Sequence, residues 1–181
     1  MLAEAHNSAL VIIDFQPKLA TAISDSDFAL ENCVKLVKAA NILALPYIVS
    51  EQYPQGLGHT DSRITAHVSP GTPCLEKTCF SCVDAPPFVE HLNKINKHQV
   101  VLCGMEAHVC VLQTALQLQQ QNHTVFAVED AICSRSIANK ANAIARMRHA
   151  GIIISNTESI LFEWMRDAKH PQFKAISALI K

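Results

Sequence analysis

The chain has 181 residues, of which 49% are hydrophobic and 17% charged. That length and composition predict one globular domain spanning residues 1–181 and exclude disordered, collagen-like and coiled-coil chains. Fifteen basic and sixteen acidic side chains give a formal net charge of -1. Because no strong overall field results, we expect neither nucleic acid nor a membrane as a partner.

The seven cysteines are the unusual feature of the composition. An odd number cannot all pair within one chain, and a domain of this size does not need disulfides to complete its core. No Lys or Arg precedes the apolar run at residues 9–13, so no secretory signal is evident. These observations favour free thiols in a reducing compartment and predict a cytoplasmic location.

Strand-like and helical patterns alternate along the chain. The strand-like runs are continuously apolar, which is typical of strands buried on both faces, and helical spacing covers residues 27–45 and 136–150. The alternation predicts an α/β fold: a three-layer α-β-α, doubly wound, Rossmann-like parallel sheet in a single domain. Its ligand site should lie beyond the carboxyl ends of the strands. The predicted strands are residues 8–13, 46–49, 99–103, 123–128 and 152–154.

Asp14 directly follows the first predicted strand. A carboxylate at that point is partly withdrawn from water, which suits it to proton transfer. The alternative is an aspartate that only caps a helix or stabilises a turn. The spacing alone does not separate these two interpretations.

Cys110 follows the third predicted strand and lies near the start of a helical pattern in which Val109, Leu112 and Leu116 share one face. The helix dipole and the free backbone N–H groups of a first turn are expected to stabilise a thiolate there. The same N–H groups could hold an oxyanion. The alternative interpretation is a buried, unreactive cysteine.

Lys77 is flanked by apolar and thiol-bearing residues. Its ammonium could lower the pKa of a nearby thiol and orient an aspartate, or the residue could be an ordinary surface lysine. Cys79 and Cys82 in the same segment have C-x-x-C spacing, which with Cys74 leaves a redox or zinc site open. Since no second C-x-x-C pair completes four zinc ligands, that is the weaker hypothesis.

Together these segments resemble the isochorismatase-like cysteine hydrolases, a family that includes nicotinamidases and N-carbamoylsarcosine amidohydrolases. The resemblance covers residues 7–165 and is closest to the subgroup of isochorismatase domain-containing proteins. Each motif alone is weak, but their combination is specific. The motifs are residues 9–16, 76–81, 102–111 and 128–136, and residues 50–58 and 104–110 indicate the subgroup.

The resemblance implies a role for each candidate residue. Cys110 matches the family nucleophile, Asp14 the general acid/base and Lys77 the cation that orients the pair. A cis peptide bond is implied between Met105 and Glu106, with the N–H groups of Glu106 and Cys110 forming an oxyanion hole. The implied reaction is hydrolysis of a small molecule, in which the thiolate attacks an amide or ureido carbon and a thioacyl-enzyme forms.

This chain also departs from the family pattern. Ala107 stands where many relatives have Thr. The segment from Glu51 to His59 lacks the metal-binding Asp-x-His of nicotinamidases, so we predict no metal, no cofactor and a substrate other than nicotinamide. True isochorismatases cleave a vinyl ether and need not use the cysteine, so the retained Cys110 favours C–N hydrolysis over vinyl-ether hydrolysis.

Residues beside these motifs are the candidates for the substrate pocket, with packing between helix and sheet as the alternative for each. The predicted pocket residues are Phe15, Gln16, Tyr53, Leu57, Phe80, Ala107 and His108.

Two other functions stay open. The chain could be a catalytically idle binding or scaffold protein of the same fold. It could also be a ribonuclease, a label that relatives of the subgroup have carried, although the balanced charge disfavours this. Apolar positions in residues 137–150 and 162–180 predict a homo-oligomer, as a dimer, tetramer or larger assembly.

Overall fold

The computed structural model describes residues 1–181 and is built on one sheet of six strands, all parallel to their neighbours. This confirms the predicted doubly wound α/β fold. The strands are β1 (Ser8–Ile13), β2 (Tyr47–Gln52), β3 (Cys74–Lys77), β4 (Gln99–Met105), β5 (Thr124–Cys133) and β6 (Ile153–Ser155). Their order in the sheet is β3-β2-β1-β4-β5-β6.

Helices cover both faces of the sheet, and the two predicted long helices are present, with ends that differ from the prediction by one to three residues. The helices are α1 (Pro17–Ala20), α2 (Ser26–Ile42), α3 (Pro54–Leu57), α4 (Ser62–Thr65), α5 (Pro86–Ile95), α6 (Leu112–Gln120), α7 (Ile137–His149), α8 (Thr157–Met165) and α9 (Phe173–Ser177). A π-helical turn, Ala107–Val111, runs directly into α6. None of the helices combines the length and hydropathy that crossing a bilayer requires.

The sheet divides the core into two apolar clusters, because successive residues of a strand point to opposite faces. In β1, Leu10 and Ile12 join the cluster under α2 and α8, whereas Val11 and Ile13 join the cluster under α5, α6 and α7. Every residue of β1 is buried. That two-sided burial is the reason why the strand is a continuous apolar run in the sequence.

Two strands differ from the prediction. β3 was not predicted, because this edge strand has only four residues and carries Glu76 and Lys77. β5 runs to Cys133, well past the predicted residues 123–128. The motif at residues 128–136, which resembles the family's strand-to-helix turn, is therefore mostly strand. Its exposed Glu129 and half-buried Asp130 interrupt the apolar pattern, and the β4–β5 register shifts between Leu102 and Gly104.

The C-terminal region differs in its packing from the prediction of an apolar outer face. Trp164 of α8 and Ile176 of α9 are buried in the cluster under α2 instead. Phe162 remains exposed, with 39% of its surface open to solvent. The tail therefore completes the core of its own chain and leaves little apolar surface for an oligomer contact.

The strand order places a topological switch point between β1 and β4. The chain builds outward from β1 through β2 to β3 and then returns to place β4 on the other side of β1. At such a point the flanking helices lie on opposite faces, so a crevice opens beyond the carboxyl ends of the two strands. Asp14 follows β1 and Glu106 follows β4, directly at this edge.

Candidate active site

Asp14 is held in an uncommon backbone conformation at the end of β1. Its φ of 53° lies in the left-handed region, which Asp tolerates better than most residues. Its N–H donates to the carbonyl of Ser50 on β2. Beside it, a Cβ on Gly104 would overlap the carbonyl oxygen and Cβ of Ile13. Glycine at position 104 therefore allows β4 to approach β1 immediately before Asp14.

Asp14 and Lys77 form a buried ion pair across three strands of the sheet. Lys77 Nζ lies 2.7 Å from Asp14 Oδ2, and at most 1% of either side chain is exposed. Burial alone would lower the pKa of Lys77, but the opposing effect of the Asp14 charge raises it above its ordinary value. Lys77 is therefore a fixed positive charge near neutral pH.

Cys110 lies next to this pair, in the π-helical turn that precedes α6, with 5% of its surface exposed. Burial, followed by the negative charge of Asp14, raises the pKa of the Cys110 thiol far above its usual range, although the Lys77 charge acts in the opposite direction. The expectation of a resting thiolate is therefore wrong. Desolvation outweighs the stabilisation by the helix start, so the thiol must pass its proton to a base before it can react.

The peptide bond between Met105 and Glu106 is cis. The Glu106 N–H donates to no acceptor within the protein. Cys110 lies in the first turn of the helical segment, where N–H groups commonly lack helical partners. The Glu106 side chain accepts three hydrogen-bond contacts from the guanidinium of Arg135 and one from its backbone N–H. Arg135 thereby fixes the loop after β4 to the end of β5.

The predicted pocket residues do not form one wall. Phe15 is fully buried in the cluster under α2. The side-chain NH2 of Gln16 donates hydrogen bonds to the backbone carbonyls of Gln52 and Gly58 and is therefore engaged within the protein. Ala107 is buried in the π-helical turn, and His108 Nδ1 contacts Ser134 Oγ at 3.1 Å. The remaining three residues are exposed or half-buried: Tyr53, Leu57 and Phe80.

Access to the site is narrow. A cavity of about 370 Å³ lies beside it and is lined by Tyr53, Lys77 and Cys79 among others. Asp14 is fully buried, and Cys110 has only 5% of its surface exposed. The reacting groups are thus enclosed by protein, which favours a small substrate.

Sequence reasoning missed two residues of β2 that complete the site. Ser50 Oγ donates to Asp14 Oδ1 at 2.7 Å, and Gln52 Oε1 accepts from Lys77 Nζ at 2.6 Å. They lie two residues apart and therefore on the same face of the strand. In the sequence, Ser50 and Gln52 are visible only as polar residues at alternate positions just after an apolar run. Their partners, Asp14 and Lys77, can be identified only once the order of the strands is known.

The C-x-x-C pair of the sequence is not closed into a disulfide. All seven thiols are free. Of the C-x-x-C pair, Cys82 is buried and Cys79 is half-buried. No group of three or more His, Cys, Asp or Glu side chains has an arrangement that could hold a metal ion.

Comparison with known proteins shows which family the chain resembles. The model of the isochorismatase domain matches residues 8–159. Human isochorismatase domain-containing protein 2 is 38% identical over 176 residues, which are 97% of this chain and 83% of the relative. The structure of the MAR1 ribonuclease from Caenorhabditis elegans has a TM-score of 0.94 and 38% identity, covering 99% of this chain and 92% of that one.

A more distant structure shares the fold. The YcaC gene product of Escherichia coli, described as an octameric hydrolase of unknown specificity, has a TM-score of 0.94 at 23% identity, covering 99% of this chain and 89% of that one. The domain match and the curated relatives extend over nearly all of the sheet and the site after its strands. The chain belongs to the isochorismatase-like hydrolase family.

Proposed function

We propose that the protein is a cysteine-dependent hydrolase that cleaves a C–N bond in a small amide or ureido compound. The observation that carries the proposal is the buried Asp14–Lys77 ion pair, 2.7 Å long, beside the buried thiol of Cys110. A nucleophile, a base that can take its proton and a fixed cation that orients the base are the components of covalent catalysis by a thiol.

In the proposed first step, Asp14 accepts the thiol proton of Cys110 while the sulfur attacks the substrate carbonyl carbon. The C–S bond forms and the carbonyl electrons move to the oxygen, which the N–H groups of Glu106 and Cys110 stabilise. The tetrahedral adduct then collapses, the C–N bond breaks, and Asp14 returns the proton to the leaving amine or ammonia. Water attacks the thioester with Asp14 again as base, which releases the acid and restores the thiol.

The test compares Cys110 with another buried thiol of the same chain. Burial raises the pKa of Cys133 to about 12, but Asp14 is not among the groups that shift it. We expect iodoacetamide to alkylate Cys110 faster than any other cysteine, and Asp14→Asn to slow that reaction about a hundredfold, within the range for loss of a general base. Peptide mass mapping measures both rates. Equal rates at Cys110 and Cys133 would refute the mechanism.

A substrate search follows from the thioacyl intermediate. Incubating the protein with a pool of small metabolites should give an adduct on Cys110, detected by intact mass, that is lost in Cys110→Ala and kept in Cys133→Ala. An unreactive Cys110 together with no turnover of any amide would instead support the idle scaffold.

RNA hydrolysis is the second candidate, because the C. elegans structure at 38% identity is described as a ribonuclease. The net charge of -1 and the enclosed reacting groups disfavour a polyanionic substrate. A labelled RNA that is cleaved by the wild type but not by Cys110→Ala would establish this candidate. Cleavage that persists in Cys110→Ala would identify a contaminating nuclease.

We also propose that the protein forms a homo-oligomer. Ile137 at the start of α7 has 79% of its surface exposed and Phe28 on α2 has 56%, which is unusual for large apolar side chains. Light scattering coupled to size exclusion should give a multiple of the chain mass of 19.8 kDa. A monomeric mass would overturn this proposal.

A further inference from the structure

Ser50 contacts the candidate base through both its main chain and its side chain. Its carbonyl accepts the Asp14 N–H at 3.1 Å, and its Oγ donates to Asp14 Oδ1 at 2.7 Å. At most 1% of either residue is exposed, so water does not compete for these bonds. A hydroxyl can donate to a carboxylate and accept from a carboxylic acid, so this contact can persist when Asp14 gains a proton.

The thiol of Cys82 sets the direction of the hydrogen bond between Ser50 and Asp14. The thiol of Cys82 lies 3.5 Å from Ser50 Oγ, and Cys82 is itself fixed by its N–H, which donates to Thr114 Oγ1 at 2.9 Å. Burial raises the pKa of Cys82 to about 11, so this thiol keeps its proton and acts as a donor. With the Cys82 proton directed at Ser50, the serine proton is available for Asp14.

The ammonium group of Lys77 has no proton left to donate to Asp14 Oδ1, the oxygen that Ser50 contacts. Its three ammonium protons have three close acceptors: Asp14 Oδ2 at 2.7 Å, Gln52 Oε1 at 2.6 Å and the carbonyl of Phe80 at 3.1 Å. Each carboxylate oxygen of Asp14 therefore has its own partner. Without the Ser50 hydroxyl, Oδ1 would lose this donor, and the attraction of the Lys77 charge would act on both oxygens of Asp14.

We propose that Ser50 is a positioning residue that divides the two oxygens of Asp14 between itself and Lys77, so that the carboxylate stays directed at the thiol of Cys110. The inference rests on the proposed cysteine chemistry, in which Asp14 is the base. It also assigns a function to Cys82, which orients the Ser50 hydroxyl without contacting Asp14 through a hydrogen bond of its own.

The experiment measures how fast iodoacetamide alkylates Cys110 as a function of pH, with the site identified by peptide mass mapping. Ser50→Ala should be about tenfold slower near neutral pH, the equivalent of one hydrogen bond to a charged group. Its rate should rise only at higher pH, where the thiol ionises without help. Ser50→Thr should recover most of the wild-type rate and pH profile, because it keeps the hydroxyl.

Two controls separate positioning from general destabilisation. Ser8→Ala removes a buried serine at the opposite end of β1, where its hydroxyl contacts Gln99 and Trp164, and should leave alkylation unchanged. Ser50→Thr and Ser50→Val have nearly the same shape and differ in the hydroxyl. If Ser50→Ala does not fold, the ratio of the Cys110 alkylation rates in Ser50→Thr and Ser50→Val tests the proposal on its own.

The outcomes distinguish this inference from the proposed function. If Asp14→Asn slows alkylation but Ser50→Ala and Ser50→Val match the wild type, the positioning role is wrong and the cysteine chemistry stands. Slowing by Ser50→Val with recovery in Ser50→Thr supports the role. If Asp14→Asn has no effect either, the proposed function fails first.

Discussion

Two ion pairs lie at neighbouring strand ends and differ in their contact with water. The Asp14–Lys77 pair is sealed, since at most 1% of either side chain is exposed. In the Glu106–Arg135 pair only the carboxylate is buried, while 63% of the arginine side chain is open to solvent. The difference means that water is excluded from the first pair but reaches the second, which fastens the loop after β4 to the end of β5.

Breaking the sealed pair should have the largest effect. Lys77→Met leaves the Asp14 carboxylate buried without a counter-charge, and loss of one partner of a buried pair costs about 3–5 kcal/mol of unfolding free energy. Urea titration measures the loss. Asp14→Asn is the matched second change, because Asn also tolerates the left-handed backbone that Asp14 adopts. The double variant should regain most of the stability, and a double variant as unstable as the single one would contradict a charge effect.

Breaking the half-open pair should cost less. In Arg135→Gln the Glu106 carboxylate keeps the hydrogen bond from the backbone N–H of residue 135, and water can replace the exposed guanidinium. We expect a loss of about 1 kcal/mol, the upper range for a solvent-exposed pair. The same urea titration checks it. A loss as large as that of Lys77→Met would show that exposure is not what separates the two pairs.

The two pairs should also respond to opposite ends of the pH scale. Although burial acts to raise it, the pKa of Glu106 is lowered by its bonds from Arg135, so its stabilisation is present above the ordinary Glu pKa and is lost as pH falls below it. The pKa of Lys77 is raised, so its stabilisation is present below the ordinary Lys pKa and is lost as pH rises above it.

Unfolding free energies of Arg135→Gln and the wild type should therefore converge in acid, and those of Lys77→Met and the wild type in alkali. Urea titrations across the pH range give both differences. A difference between Lys77→Met and the wild type that persists in alkali would contradict the assignment of the Lys77 shift.

How far the sequence predicts this molecule depends on whether the signal is local. β1 and the start of β4 are continuous apolar runs because both faces are buried, so they are predicted nearly to their bounds, and Asp14 is placed correctly after β1. Lys77 ends an edge strand with no apolar pattern, so its partnership with Asp14, 63 residues away, emerges only from the strand order.

The electrostatics of Cys110 could not be predicted for a related reason. A helix start is visible in the sequence and favours a thiolate. The opposing influences, burial and the Asp14 charge, depend on the packing of distant segments and dominate in the folded protein. The contacts of Ser50 and Arg135 could not be predicted for the same reason, because their side chains bind partners at the ends of other strands.

Salt should change the unfolding free energies of these variants least, but it should distinguish the two ion pairs most clearly. The screening length falls from about 10 Å at 0.1 M salt to about 3 Å at 1 M, but screening acts only on charges that mobile ions can approach. The cost of Arg135→Gln should therefore shrink by a few tenths of a kcal/mol between these concentrations, while the cost of Lys77→Met stays constant. Comparing each variant with the wild type at equal salt removes the general effect of salt on apolar burial. If both costs shrink in parallel, ions reach the Asp14–Lys77 pair, and the base beside Cys110 is not the enclosed group that the proposed chemistry requires.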